Sequence, residues 1–155
     1  MRGLGIAAPY PKRLTFQSGA FALTVPWRGL GDIYVRKLEF ALAEDAFATA
    51  LRLYDEAHKN PSLGVALVML GLGRLELAKG ELAGALGHFE GAAQVLDREH
   101  LNEPFEFAVA HELIGDAFSA SGDTERAGAE FAISLSYFNR VGASAVADRI
   151  KVKMG

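Results

Sequence analysis

One ladder of small and aromatic residues occurs twice in this chain at identical steps: Leu72, Gly73, Gly80, Ala85, Phe89 and Ala92, then Ile114, Gly115, Gly122, Ala127, Phe131 and Ser134. Self-similarity at a fixed spacing over tens of residues marks a repeat architecture. In such a chain no unit buries its apolar face alone, and each must stack on a neighbour. Function is therefore sought on the stacked surface.

Apolar periodicity places the helices around that ladder. From about Asp32 onward the period is helical, and Asp32 is suited to cap a helix through Glu44 that carries Tyr34, Leu38, Ala41 and Leu42 at three- and four-residue steps. A second helix is expected over Ala46 to Lys59, stopped by Asn60-Pro61-Ser62, with Ser62 capping the next. Leu63 to Lys79 ends at Gly80 and is followed by Leu82 to about Glu99. After a connection over His100 to Pro104, Phe105 to Ala120 and Thr124 to Arg140 form another pair turning at Ser121-Gly122-Asp123. Ser144 to Met154 reads as a last helix with Arg149, Lys151 and Lys153 toward its C-terminal end, where the helix dipole favours positive charge.

Residues 1–31 differ from the rest. They hold three of the five prolines, and Arg13 to Val25 partly alternates, with Leu14 and Phe16 before Ser18-Gly19 and Phe21, Leu23 and Val25 after it. That pattern predicts a β-hairpin closed at Ser18-Gly19, or an extended arm.

At 155 residues, half of them hydrophobic, the chain suits one domain with a sizeable core. A net charge of -3 leaves no basic excess for gripping phosphate backbones, so direct nucleic-acid binding is not expected. Without cysteine, disulfides, thiolate metal sites and cysteine nucleophiles are excluded. The most apolar stretch, Leu63 to Leu72, is broken by glycines and soon meets Arg74, and Met1 to Ala8 lacks the apolar length of a secretory signal. A cytoplasmic protein with no membrane partner is the expectation.

The segments Leu72 to Leu96 and Ile114 to Leu135 resemble tetratricopeptide repeats. Each has a small residue in the middle of its first helix, glycine at the turn, alanine early in the second helix, an aromatic one turn later and a small residue beyond. Leu38, Asp45, Ala50, Tyr54 and Ala57 keep the same steps 35 residues ahead of Gly73, Gly80, Ala85, Phe89 and Ala92, and are read as a weaker first copy. The two clear copies lie 42 residues apart, longer than the family's usual repeat of about 34. Such long repeats occur in bacterial regulators that resemble this family.

The resemblance implies an all-α, right-handed superhelix of about three antiparallel helix pairs (repeats near 32–64, 66–103 and 105–141). A capping helix over 144–154 and an N-terminal arm over 1–31 complete it. It also implies a protein or peptide partner held on the concave face of the first helices. Carried over position by position, that face comprises Val35, Glu39, Leu42, Leu67, Leu70, Arg74, Leu77, Val109, Glu112, Leu113 and Asp116. It is apolar for an exposed surface, so a partner, a second copy forming a homodimer, or the chain's own arm with Tyr10, Phe16, Phe21 and Trp27 is expected to cover it. Those four anchors equally suit a cap on the first helix pair. The lysine-, arginine- and asparagine-based carboxylate clamp of some relatives is absent, since Val35, Glu39, Gly71, Val109 and Leu113 stand in its places.

No catalytic residue, metal or cofactor is expected. His111-Glu112 opens like a zinc-protease helix motif, but Gly115 stands where the second histidine is required. Glu112 and Asp116 share a helix face yet lack a partner base or nucleophile, so an enzyme built on His111, Glu112 and Asp116 ranks last. The glycine pairs Gly29/Gly31 and Gly71/Gly73 lack the third glycine of a nucleotide loop. A scaffold or adaptor is the leading reading, and a regulatory piece working beside a DNA-binding protein is the alternative.

Overall fold

Left-handed turns of one geometry punctuate the helices of this chain. In the computed structural model, which describes residues 12–57, 62–98 and 103–155 and their side chains from Thr24 onward except that of 98, the helices are α1 (Lys12–Arg36), α2 (Phe40–Glu56), α3 (Leu63–Lys79), α4 (Leu82–Arg98), α5 (Pro104–Ala120), α6 (Thr124–Arg140) and α7 (Ser144–Met154). At each turn within a pair one residue takes the left-handed conformation: Leu38 with φ 61°, Gly80 with φ 80° and Gly122 with φ 84°. The amide after it donates back across the turn, Glu39 to Tyr34 O, Glu81 to Glu76 O and Asp123 to Phe118 O, at 2.8–2.9 Å. These bonds satisfy carbonyls that a helix end leaves free.

α1 packs against α2, α3 against α4 and α5 against α6, while α7 closes the order against α6. Among the described residues there is helix and no strand.

The notches seen in the sequence are the packing contacts. A methyl group added at Gly73 would overlap the Phe89 ring, one at Gly115 the Phe131 ring, and one at Gly31 the Phe47 ring. All three rings are buried, Phe47 and Phe89 completely. Each pair closes by letting a helix backbone approach a phenylalanine ring of its partner.

Two expectations for the N-terminal third are overturned. Helix α1 runs through Arg13 to Val25, where a hairpin or extended arm was expected, and it continues past Pro26. The three- and four-residue steps of Thr24, Trp27, Gly31, Tyr34 and Val35 govern this segment. Thr24 is fully buried, and Trp27, Tyr34 and Val35 pack on the cluster around Phe47. Of the four aromatic anchors Trp27 is thus placed in the first pair, while Tyr10 and the side chains of Phe16 and Phe21 lie outside the described residues, as does Asn60-Pro61.

The helix expected over Asp32 to Glu44 is broken at Lys37–Glu39 by the left-handed Leu38. That break also corrects the first copy. Gly31, Leu38, Ala43, Phe47 and Ala50 stand 42 residues before Gly73, Gly80, Ala85, Phe89 and Ala92, so the first pair spans α1 and α2 and not 32–64. The 35-residue alignment put the turn residue Leu38 on the mid-helix position of Gly73.

The same spacing reaches the last helix. Thr24, Ala66, Ala108 and Ile150 are 42 residues apart and all fully buried, which puts α7 in the place of a fourth first helix. The bounds expected for α3, α6 and α7 hold to the residue, and Ser62 caps α3 by accepting from the Val65 amide at 3.3 Å.

Leu38 is two-thirds exposed, and its counterparts are glycines. A non-glycine residue in this conformation costs about 1–2 kcal/mol, part of which glycine gives back as unfolded-chain entropy. Leu38→Gly is therefore expected to stabilise the fold by about 0.5–1 kcal/mol, read as a higher denaturant midpoint at unchanged slope.

Candidate functional site

The first helices of the three pairs lie side by side, α3 touching both α1 and α5, and leave a cleft of about 620 Å³ between them. Val35, Leu67, Leu70 and Val109 give it an apolar floor, in which Leu70 is almost completely buried. Arg28, Asp32 and Arg36 of α1, Arg74 of α3, and Phe105 and Glu106 of α5 complete the lining. The ring of Phe105 is exposed to solvent, although its edge also meets the Phe138 ring at 5.2 Å.

The charges in the cleft are unevenly matched. Arg28 Nη1 lies 3.8 Å from Asp32 Oδ2, and Arg28 Nε is buried without a hydrogen-bond partner among the described residues. Burial pushes the Asp32 carboxyl above its ordinary pKa, against the opposing pull of Arg74, Arg28 and Arg36. Burial, and then the charge of Glu103, likewise push up Glu106, while Arg28 and Arg74 pull it down.

Five of the eleven residues expected on the working face line this cleft: Val35, Leu67, Leu70, Arg74 and Val109. Glu39 and Leu42 do not, because the break at Leu38 puts Glu39 at the turn and Leu42 on α2, a second helix. Leu77 and Leu113 pack against the larger core cluster. Arg28, Asp32, Arg36, Phe105 and Glu106 were not expected. The 42-residue register that relates Asp32, Arg74 and Asp116 would have found Asp32.

Glu112 and Asp116 are committed elsewhere. Arg149 of α7 grips the buried Glu112 with two bonds, Nε to Oε1 at 3.1 Å and Nη2 to Oε2 at 2.7 Å. Lys153 donates to Glu112 Oε1 at 2.7 Å and to Asp116 Oδ1 at 2.8 Å. Burial pushes the Glu112 pKa up, but the bonds from Arg149 and Lys153 outweigh it and hold the carboxyl below its ordinary value. Burial alone would lower the Lys153 pKa, and Asp116 and Glu112 raise it above the ordinary lysine value.

His111 turns away from this pair. Its Nδ1 lies 2.6 Å from Glu130 Oε2, and its ring meets the Phe107 ring edge-on at 4.5 Å. His88 makes the corresponding contact with Glu76 at 2.6 Å, joining α4 to α3 as His111 joins α5 to α6. Among the described residues no three histidine or acidic side chains are grouped to hold a metal ion, and no helix is long and apolar enough to cross a membrane.

A second, smaller cleft of about 310 Å³ lies where the end of α4 meets the start of α5 and the end of α6, lined by Leu96, Phe107 and Tyr137 together with Asp97, Glu103 and Arg140. Arg140 already stacks over the Tyr137 ring at 4.7 Å.

No known family model matches this chain, nor does any curated protein or solved structure.

Proposed function

We propose that this chain is a non-catalytic interaction module, built like a tetratricopeptide repeat protein, that takes a segment of a partner protein in the cleft between α1, α3 and α5. One observation carries the reading: the cleft draws on the first helix of all three pairs, and its apolar floor is ringed by charged side chains. That combination of burial for affinity and polar groups for orientation suits a recognition surface. The resemblance of the two clear repeats to that family supports the same use.

Capture from the native host, with the chain as bait, tests the proposal. Leu67→Glu with Val109→Glu places charge on the half-buried floor and is expected to abolish capture while the helical circular dichroism is kept. Capture undiminished by that variant would put the partner elsewhere.

The uniform 42-residue spacing over three pairs favours a second reading, a regulatory piece that works beside a DNA-binding protein. Capture of a DNA-binding protein by the same cleft would select it over a general adaptor.

A further inference from the structure

Three guanidinium groups face the cleft, and they leave much of their hydrogen-bonding capacity unused. Each carries five N–H donors in a planar fork that matches a carboxylate in two bonds. Among the described residues the ion pair of Arg28 is the 3.8 Å contact with Asp32, and its Nε is a buried donor with no acceptor. Among the described residues Arg36 and Arg74 act on Asp32 through space, without a hydrogen bond to it. Two carboxylates, Asp32 and Glu106, stand against three arginines in the lining.

We infer that the occupant of the cleft is an acidic segment of a partner protein, with a carboxylate side chain held by Arg28 and Arg74 and an adjacent apolar side chain seated on Val35, Leu67 and Val109. The inference rests on the proposed use of the cleft and adds the chemistry of what enters it. Charge disfavours the chain's own N-terminal segment as that occupant. Residues 1–11, which precede α1, contain no aspartate or glutamate, so they bring no carboxylate to the three arginines. The chain as a whole is acidic, at a net charge of -3, so attraction of an acidic partner depends on this local basic group and is short-ranged at physiological salt.

Fluorescence anisotropy of the full chain with three labelled short peptides tests this, the first alternating leucine with glutamate, the others leucine with glutamine and leucine with lysine. The glutamate peptide is expected to bind about tenfold or more tightly than the glutamine peptide, with the lysine peptide weaker still. Arg28→Gln with Arg74→Gln should remove that preference, bringing the glutamate peptide down to the affinity of the glutamine peptide. Arg28→Lys with Arg74→Lys should keep part of it, since the charge remains and the fork is lost.

Equal binding of the glutamate and glutamine peptides, both abolished by Leu67→Glu with Val109→Glu, overturns the acidic occupant and leaves the cleft reading intact. A glutamate preference that survives the double glutamine variant overturns the assignment to these arginines. Binding of none of the peptides overturns both readings, and a dimeric mass in that case makes a second copy the occupant.

Discussion

Phe89→Ala is expected to cost about 3–5 kcal/mol of folding free energy, a large share of a total on the order of 5–15 kcal/mol. The ring is fully buried and lies against the bare backbone of Gly73, so truncation leaves a void that helix backbones on two sides cannot close. Gly73→Ala attacks the same contact from the other side. Its methyl overlaps the ring, and the overpacking is expected to cost about 1–3 kcal/mol. Combined with Phe89→Leu, which shortens the ring side chain, Gly73→Ala should cost less than the two changes summed, by about 0.5 kcal/mol or more. Gly87→Ala is the control, since nothing lies within 4 Å of its added methyl, and at this exposed helical position it should stabilise by about 0.5–1 kcal/mol. Chemical denaturation followed by circular dichroism reads all five variants, Phe89→Leu alone included.

The second large effect lies at α7. Replacing Arg149 and Lys153 together by methionine strands the buried Glu112 carboxylate, at a cost of about 3 kcal/mol near pH 7. The pH dependence is expected to change sign. In the native chain Glu112 is held below its ordinary pKa, so its stabilising contribution is complete above the ordinary glutamate value of about 4.3 and is lost as the pH falls through the depressed value. In the double variant burial acts alone and raises the pKa. The folded state then binds protons more readily than the unfolded one, and stability increases as the pH falls from about 7 toward 4. Adding Glu112→Leu should recover most of the loss, because no charge remains to be buried. Denaturant midpoints of the three proteins across that pH range check the reversal.

The fold was legible in the sequence wherever the punctuation was orthodox. Gly80 and Gly122 announce their turns and Ser62 its cap, and the helices beside them were found within a residue or so. The first pair was misread because its turn residue is a leucine. Leu38 supplies an apolar residue at helical spacing, and a pattern reading keeps the helix going through a position that the backbone uses to reverse. The pairing of Gly31 with Phe47 is the same notch and ring as Gly73 with Phe89, and it fixes the register that the turn residue conceals.

The cleft was half legible for the same reason. Leu67, Leu70, Arg74 and Val109 belong to helices that the glycine turns define, whereas Arg28, Asp32 and Arg36 belong to a helix whose course the alternation of Arg13 to Val25 obscured. The commitment of Glu112 and Asp116 to α7 could not be read from sequence at all. It depends on α7 packing beside α5 as the next first helix, a relation between residues about forty positions apart.

Hydrogen exchange of the chain, free and with its captured partner, tests the central claim most directly. The account predicts that binding slows exchange in Arg28–Arg36, Leu67–Arg74 and Phe105–Val109, the three helical faces that meet at the cleft, while α2, α4 and α6 are unchanged. Protection confined to those second helices, or to α7, would contradict it.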